Sequence, residues 1–270
     1  MEKSLVSVIL PTQNREKTLV RAINSILEQT YKNIEVLVVN DASTDNTYEI
    51  ASGFSKKDSR IIILNNEKKL GLTESLNKGI GMAKGKYIAR LDDDDFWCNE
   101  KKLEEQVDFL EKNKDYVLVG GGAIEMDQNG KDAATYFFPE KDSDIRKKIL
   151  IKDMFIHVSV VFVRDAWERV AGYDKKFNGL EDWDLWLKMG TIGKFYNIQH
   201  LFVRYAGHYY GNPSHFNRIR KKLEGLKLRM EIIKKYSSYY PGQRRAILFC
   251  FISYIYSFFP LKLKLKKLWT

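Results

Sequence analysis

Short apolar runs alternate with helix-spaced stripes from residue 5 to residue 119, and this alternation restricts the fold more than any other feature. Residues 5–10 and 34–39 are near-continuous apolar runs of strand length, the pattern of strands buried on both faces. Between them, Leu19, Ala22, Ile23, Ile26 and Leu27 fall at helical spacing. Strand, helix and strand at this length form a βαβ unit, with a parallel pair and a right-handed crossover. The alternation continues with a strand at 61–64, a helix at 73–83, a strand at 86–91, a helix at 101–112 and a strand at 116–119. An α/β sheet with helices on both faces follows. Ligands of such sheets bind beyond the carboxyl ends of the strands, which directs attention to residues 11–14, 40–45 and 92–95.

The first turn, Pro11-Thr12-Gln13-Asn14, has no glycine. A dinucleotide fold wants G-x-G-x-x-G where a strand meets a helix, which argues against hydride transfer on such a cofactor. Gly120-Gly121-Gly122 follows a late strand and leads into no helix start. Cys98 and Cys250 are too few for a disulfide framework or a cysteine zinc site. The first apolar run is short and ends at Pro11, which reads as a cytosolic strand rather than a signal peptide.

Asp92-Asp93-Asp94-Asp95 directly follows the strand Tyr87-Ile88-Ala89-Arg90-Leu91. Adjacent carboxylates repel and raise one another's pKa unless a cation is present. In an extended chain Asp92 and Asp94 share a side, and two hard oxygen ligands suit Mg²⁺ or Mn²⁺, which also binds substrate phosphates. Asp41 and Asp45 flank a loop after the second strand; Asp41 suits a base or ribose contact, whereas Asp45 serves equally well as a helix cap. Glu181-Asp182-Trp183-Asp184-Leu185-Trp186 begins a helix whose Trp183, Trp186 and Leu187 share a face. A carboxylate beside those rings has the setting of a general base, and acids in a first turn also complement the helix dipole. His157 suits either the acceptor region or the core.

The net charge of +10 is uneven. Residues 216–270 hold 14 Lys/Arg and two acids, Glu224 and Glu231, while the rest of the chain is nearly neutral. Phe216, Ile219, Leu223, Leu226, Met230 and Ile233 mark one helix face, and Pro241-Gly242 ends it. Residues 246–261 then carry no charge, a run shorter than a membrane span. Six aromatic residues in that run, with Lys262, Lys264, Lys266, Lys267 and Trp269 beyond it, favour an anchor on an anionic membrane surface. A helix packed on the body is the plainer alternative, and no nucleic-acid partner is expected.

An ordered set of motifs resembles the inverting family 2 glycosyltransferases of the GT-A fold. It runs through Ser7-Val8-Ile9-Leu10-Pro11-Thr12-Gln13-Asn14, Val38-Val39-Asn40-Asp41-Ala42-Ser43-Thr44-Asp45, Gly71-Leu72, Asn77-Lys78-Gly79-Ile80, and residues 83–97. It continues with residues 157–164, Gly172-Tyr173-Asp174, the acidic helix start at 181–186, Arg204-Tyr205 and His208. Many relatives carry two acids where this chain has Asn40-Asp41. The resemblance implies a Rossmann-like mixed, mostly parallel sheet flanked by helices, with the basic amphipathic helical extension outside it. It implies a GT-A domain at 1–215, with a nucleotide-binding part at 1–97 and an acceptor-binding part at 98–215, followed by the tail at 216–270.

By the same resemblance, Pro11, Thr12, Asn14, Asp41 and Asp92 line the nucleotide site. Asp94 holds a divalent cation, Mn²⁺ or Mg²⁺, with Asp92 and His208 as weaker candidates. Asp182 is the catalytic base, with Glu181, Trp183 and His157 in the acceptor region. The implied reaction moves a sugar from a nucleotide-sugar, most simply a UDP-sugar, to a glycan or lipid-linked hydroxyl in cell-surface polysaccharide synthesis. The implied location is cytoplasmic, peripheral on the inner membrane face. The competing readings are another metal-dependent enzyme of nucleotide sugars and a non-catalytic membrane-associated scaffold. The sequence lacks a basic glycine loop at 11–17 for the first of these, and its intact acid set argues against the second.

Overall fold

The computed structural model describes residues 3–206 and 215–256. Its sheet grows from β1 (Val6–Thr12) and β2 (Ile34–Asn40), in which every residue is buried. Both faces are covered, which is why both runs are apolar almost throughout. Helix α1 (Leu19–Leu27) makes the crossover and buries Leu19, Ala22, Ile23 and Ile26, the stripe read from spacing. Val6 stands opposite Ile34 on one side and Tyr87 on the other, both parallel. β3 (Ile61–Asn65) adds in parallel outside β2, after α2 (Thr47–Ser55). α3 (Leu72–Met82) leads into β4 (Tyr87–Arg90), on the far side of β1.

Beyond β4 the sheet becomes mixed. The later elements are β5 (Phe96–Trp97), α4 (Lys102–Lys112), β6 (Tyr116–Met126), β7 (Asp132–Tyr136), α5 (Asp142–Ile149), β8 (Val161–Val163), α6 (Arg164–Arg169), α7 (Glu181–Met189) and β9 (Lys194–Ala206). The order is β3-β2-β1-β4-β8-β6-β9-β5, with β7 on β6. β8 is antiparallel to both β4 and β6, whereas β6 and β9 run parallel.

The triple glycine lies inside β6, which runs on to Met126 where the sequence suggests a strand ending at Val119. Close packing explains the glycines. A Cβ at Gly120 would lie 2.3 Å from Asn197 Oδ1, one at Gly121 2.1 Å from Phe202 Cδ2, and one at Gly122 2.4 Å from Phe137 Cε1. The missing side chains admit neighbouring groups rather than form a turn.

The chain divides into two compact units, Met1–Ile145 with Met154–Tyr209, and Arg146–Asp153 with Tyr210–Thr270. In the second unit, α8 (His215–Tyr236) packs on α9 (Gln243–Tyr256). Its buried residues include Ile232, Ile233, Tyr236, Tyr240, Ala246 and Cys250. The Arg146 guanidinium lies 5.5 Å from the Tyr240 ring centroid. Leu223 is exposed, so the stripe read along α8 is not buried throughout. On α9, Leu248, Phe251, Ile252 and Ile255 are exposed at one-face spacing. None of the described helices is long and apolar enough to cross a membrane. His208 and the lysines after residue 261 lie outside the described residues.

Candidate active site

The loops after β1 and β2 are laced together. Asn14, at φ 54°, takes the left-handed conformation that Asn tolerates better than most residues. Its side-chain oxygen accepts from Thr44 N at 2.8 Å, and its backbone N–H donates to Ser43 Oγ. Glu16 Oε2 accepts from both the backbone and the side chain of Asn46. Asp45 Oδ1 accepts from Thr47 N and Thr47 Oγ1 at the start of α2, and Oδ2 accepts from Glu16 N. Asp45 thus has the structural role its position allowed. Pro11 and Thr12 end β1 as buried residues, and Thr12 stands opposite Asn40.

Asp41 is almost fully buried and accepts from Asn66 Nδ2 at 2.8 Å, Leu70 N at 2.7 Å and Gly71 N at 2.8 Å. Burial works to raise its pKa, but these donors outweigh it and hold the carboxyl below the usual range. The structure therefore uses Asp41 to shape the 66–71 loop that starts α3.

The four consecutive acids alternate in burial, but around a turn in which Asp95 N donates to Asp92 O at 3.2 Å rather than in the extended chain the sequence suggested. Asp92 and Asp94 are about one-third exposed at the side chain, whereas Asp93 and Asp95 are buried. Asp93 accepts from Gln13 N and Arg15 Nε, both at 3.1 Å. Burial, then repulsion from Asp94 and Asp92, pushes its pKa up to about 6 against the pull of Thr12 and Arg15. Asp95 accepts from Ala206 N at 2.7 Å, and burial plus the Asp92 charge pushes it up to about 8. The buried pair ties the loop to β1 and β9, leaving Asp92 and Asp94 to face outward.

Sequence reasoning missed Arg90. Only 1% exposed at the end of β4, it grips Asp92 with two hydrogen bonds, 2.9 Å to Oδ2 and 2.5 Å to Oδ1. Its Nε is buried without a hydrogen-bond partner among the described residues. Burial disfavours its charge, but the charges of Asp92 and Asp95 keep the guanidinium protonated. The signal was present as a lone arginine in an otherwise apolar strand. Its field also acts on Asp182, Glu181, His157 and Tyr173. The Asp92–Asp95 loop and the start of α7 therefore meet at one place, around one buried cation.

At that helix start the three acids separate. Asp182 keeps 27% of its side chain exposed, and its Oδ1 accepts from its neighbour Trp183 N at 2.8 Å. Burial, opposed by Arg90, raises its pKa. Glu181 is buried, accepts from Gly179 N, and is also raised by burial and by the adjacent Asp182 charge. Asp184 is fully buried and pairs with Lys188 at 3.2 Å, so it serves the fold. Trp183, expected in the acceptor region, is 1% exposed and belongs to the core; the helix face that includes Trp186 is turned inward. His157 lies in the short helical turn His157–Ser159, with its Nε2 2.7 Å from Tyr173 Oη and its Nδ1 3.7 Å from Asp182 Oδ2.

The chemistry of Asp94 and Asp92, two part-exposed carboxylates in one turn, fits a hard divalent cation. Arg90 holds both oxygens of Asp92, which makes Asp94 the better donor, although Arg15 lies 3.2 Å from it. Among the described residues no three His, Cys, Asp or Glu converge as a closed cage.

This fold is that of the GT-A glycosyltransferases. The crystal structure of S. aureus TarS 1-349 in complex with UDP-GlcNAc matches with a TM-score of 0.69 over 96% of this chain and 76% of that one, at 19% identity. The model of Glycosyl transferase family 2 matches residues 7–170, and the chain belongs to that family. It is 33% identical over 227 residues to an uncharacterized glycosyltransferase of Methanocaldococcus jannaschii, covering 82% of this chain and 77% of the relative. It is 36% identical over 190 residues to WfgD of Escherichia coli, a UDP-Glc:alpha-D-GlcNAc-diphosphoundecaprenol beta-1,3-glucosyltransferase, covering 70% and 71%. Membership in this family makes the chain an enzyme rather than a scaffold.

Proposed function

We propose that this glycosyltransferase moves a sugar from a UDP-sugar to a hydroxyl of a lipid-linked glycan, inverting the anomeric centre, in cell-surface polysaccharide synthesis. The observation that carries the reading is the convergence of Asp92 and Asp182 around Arg90, with the part-exposed Asp94 two residues on in the same loop. The UDP donor and the diphospholipid acceptor are those in the name of the Escherichia coli relative.

Single displacement needs one base on the acceptor side and charge stabilisation on the leaving-group side. Asp182, part-exposed with a raised pKa, takes the proton from the acceptor hydroxyl as that oxygen attacks the anomeric carbon. The C–O bond to the diphosphate breaks on the opposite face. Pro11, Thr12 and Asn14 border the nucleotide, and Asp41 acts through the loop it holds. Asp94, with Asp92 behind it, would hold Mn²⁺ or Mg²⁺, which when bound neutralises charge developing on the diphosphate. Arg90 keeps Asp92 in place.

The second unit supports work at the inner membrane face. Its exposed α9 stripe of Leu248, Phe251, Ile252 and Ile255 follows Arg244 and Arg245, and the chain beyond it is rich in lysine. Apolar side chains beside cations suit an anionic lipid surface.

Thermal melts with UDP, GDP, dTDP and CMP, each with and without Mn²⁺, test the donor site. A ligand at ~100 times its Kd adds about 2.7 kcal/mol to the folded state. The reading predicts a shift with UDP that grows with Mn²⁺. A metal-independent shift removes the cation from the account, and no shift with any nucleotide removes the donor site.

A further inference from the structure

His157 and Tyr173 have no part in the reaction as written, yet they are packed directly against its base. We propose that Tyr173 locks His157 in the tautomer that points its Nδ1–H at Asp182, making His157 the positioning residue of the catalytic base. This rests on the reading of Asp182 as that base.

Three elements build the arrangement. His157 Nε2 lies 2.7 Å from Tyr173 Oη, and Nδ1 lies 3.7 Å from Asp182 Oδ2. The Tyr173 backbone is clasped by Asn77, whose Nδ2 donates to Tyr173 O at 2.8 Å and whose Oδ1 accepts from Tyr173 N at 3.0 Å. The imidazole meets Trp186 edge to face at a centroid distance of 5.6 Å. The ring therefore has little room to turn.

The protonation states follow from the surroundings. Burial, then the Arg90 charge, holds His157 well below its ordinary pKa, so the ring is neutral. Burial pushes the Tyr173 phenol far up, so its proton stays in place. A neutral imidazole has one donor and one acceptor nitrogen. If Tyr173 Oη donates to Nε2, the ring proton sits on Nδ1 and faces the carboxylate. The other tautomer would set the Nδ1 lone pair against Asp182. At 3.7 Å the contact exceeds a hydrogen bond, so in the free enzyme it acts as a dipole aimed at the base. Such contacts tighten when substrate binds. The roles reverse the common pattern in which a carboxylate orients a catalytic histidine; here the histidine orients the carboxylate.

The test has two parts. Long-range ¹H–¹⁵N NMR of the full chain labelled at histidine, with His157→Asn for assignment, reads the tautomer directly. The expected result is a neutral Nδ1–H ring for His157 from pH 6 to 8, lost in Tyr173→Phe. An Nε2–H tautomer, or no change in Tyr173→Phe, overturns the proposal whatever the identity of the base.

Kinetics with UDP-glucose and a synthetic GlcNAc-diphosphate lipid read the consequence. Tyr173→Phe and His157→Leu should lower kcat about 10- to 100-fold, the cost of a misplaced reacting group, with KM for UDP-glucose unchanged. The acid limb of kcat/KM should move to higher pH. Arg90, Asp92, Glu181 and Tyr173 also face Asp182, and none of them is removed in the histidine variants. His157→Asn, whose amide can place an N–H where Nδ1 stood, should recover most of the rate and the limb. Equal losses in all three variants with an unmoved limb would mean that the ring only fills space. Asp182→Asn, run alongside, tests the base itself: wild-type rate there with the expected tautomer at His157 would sink the base and leave the tautomer lock standing.

Discussion

Lys102 offers a test of the core that can be worked through from the structure. It is 0% exposed, its Nζ donates to Gln106 Oε1 at 2.8 Å, and the same nitrogen lies 4.3 Å from the centroid of Trp97. Burial alone pushes its pKa well below the lysine range. In the unfolded chain it takes up its proton near pH ~10.4. Between the lowered native pKa and that value the unfolded state binds more protons, so stability rises with pH by up to about 1.4 kcal/mol per unit. Lys102→Met keeps the stem volume and removes the proton site. It also leaves Gln106 Oε1 without its donor, a pH-independent cost of about 1–3 kcal/mol. The difference in unfolding free energy between variant and wild type should therefore move in favour of wild type as pH rises from 8 to 10, by at most about 1.4 kcal/mol per pH unit. Urea melts followed by tryptophan fluorescence at pH 8, 9 and 10 measure it, and other titrating groups cancel in the difference. Parallel lines for the two proteins would refute the neutral buried lysine.

Other outcomes follow from the same geometry. Gly121→Ala puts a Cβ 2.1 Å from Phe202 and should cost ~1–3 kcal/mol by overpacking, read as a lower melting midpoint with the family fold retained in circular dichroism. Asp94→Asn should abolish the Mn²⁺ dependence of the UDP thermal shift while leaving the unliganded midpoint near wild type, because the side chain is part-exposed and pairs only with Arg15 among the described residues. Phe251→Glu with Ile255→Glu, both exposed on α9, should weaken binding to phosphatidylglycerol vesicles at low salt; unchanged cosedimentation would remove that face from the account.

The first half of the fold was legible because its signals are local. Strands buried on both faces must be apolar, and α1 shows its inward face through spacing alone. The later half was less legible because its determinants are distant partners. Gly120-Gly121-Gly122 looks like an interruption until Asn197, Phe202 and Phe137 occupy the space beside it. In the site, Asp92 and Asp94 share the exposed side that an extended chain would give them, but a turn closed by Asp95 N on Asp92 O produces it. The separation of Asp182 from Asp184 followed from helix geometry, whereas the hold of Arg90 on Asp92 needed coordinates. Trp183 misled because an aromatic beside an acid looks the same in sequence whether it lines a cleft or fills a core. Asp41 was placed at the right strand end, yet its bonds to Asn66, Leu70 and Gly71 come from a loop 25 or more residues away.

The stereochemistry of transfer tests the central claim most directly. UDP-glucose, whose sugar is α-linked, would be incubated with a GlcNAc-diphosphate lipid and the new anomeric proton read by NMR, for wild type and Asp182→Asn. The account predicts a β-linked product from wild type and a rate about 10² to 10⁴ lower in the variant. An α-linked product, or an Asp182→Asn enzyme at wild-type rate, would contradict single displacement with Asp182 as its base.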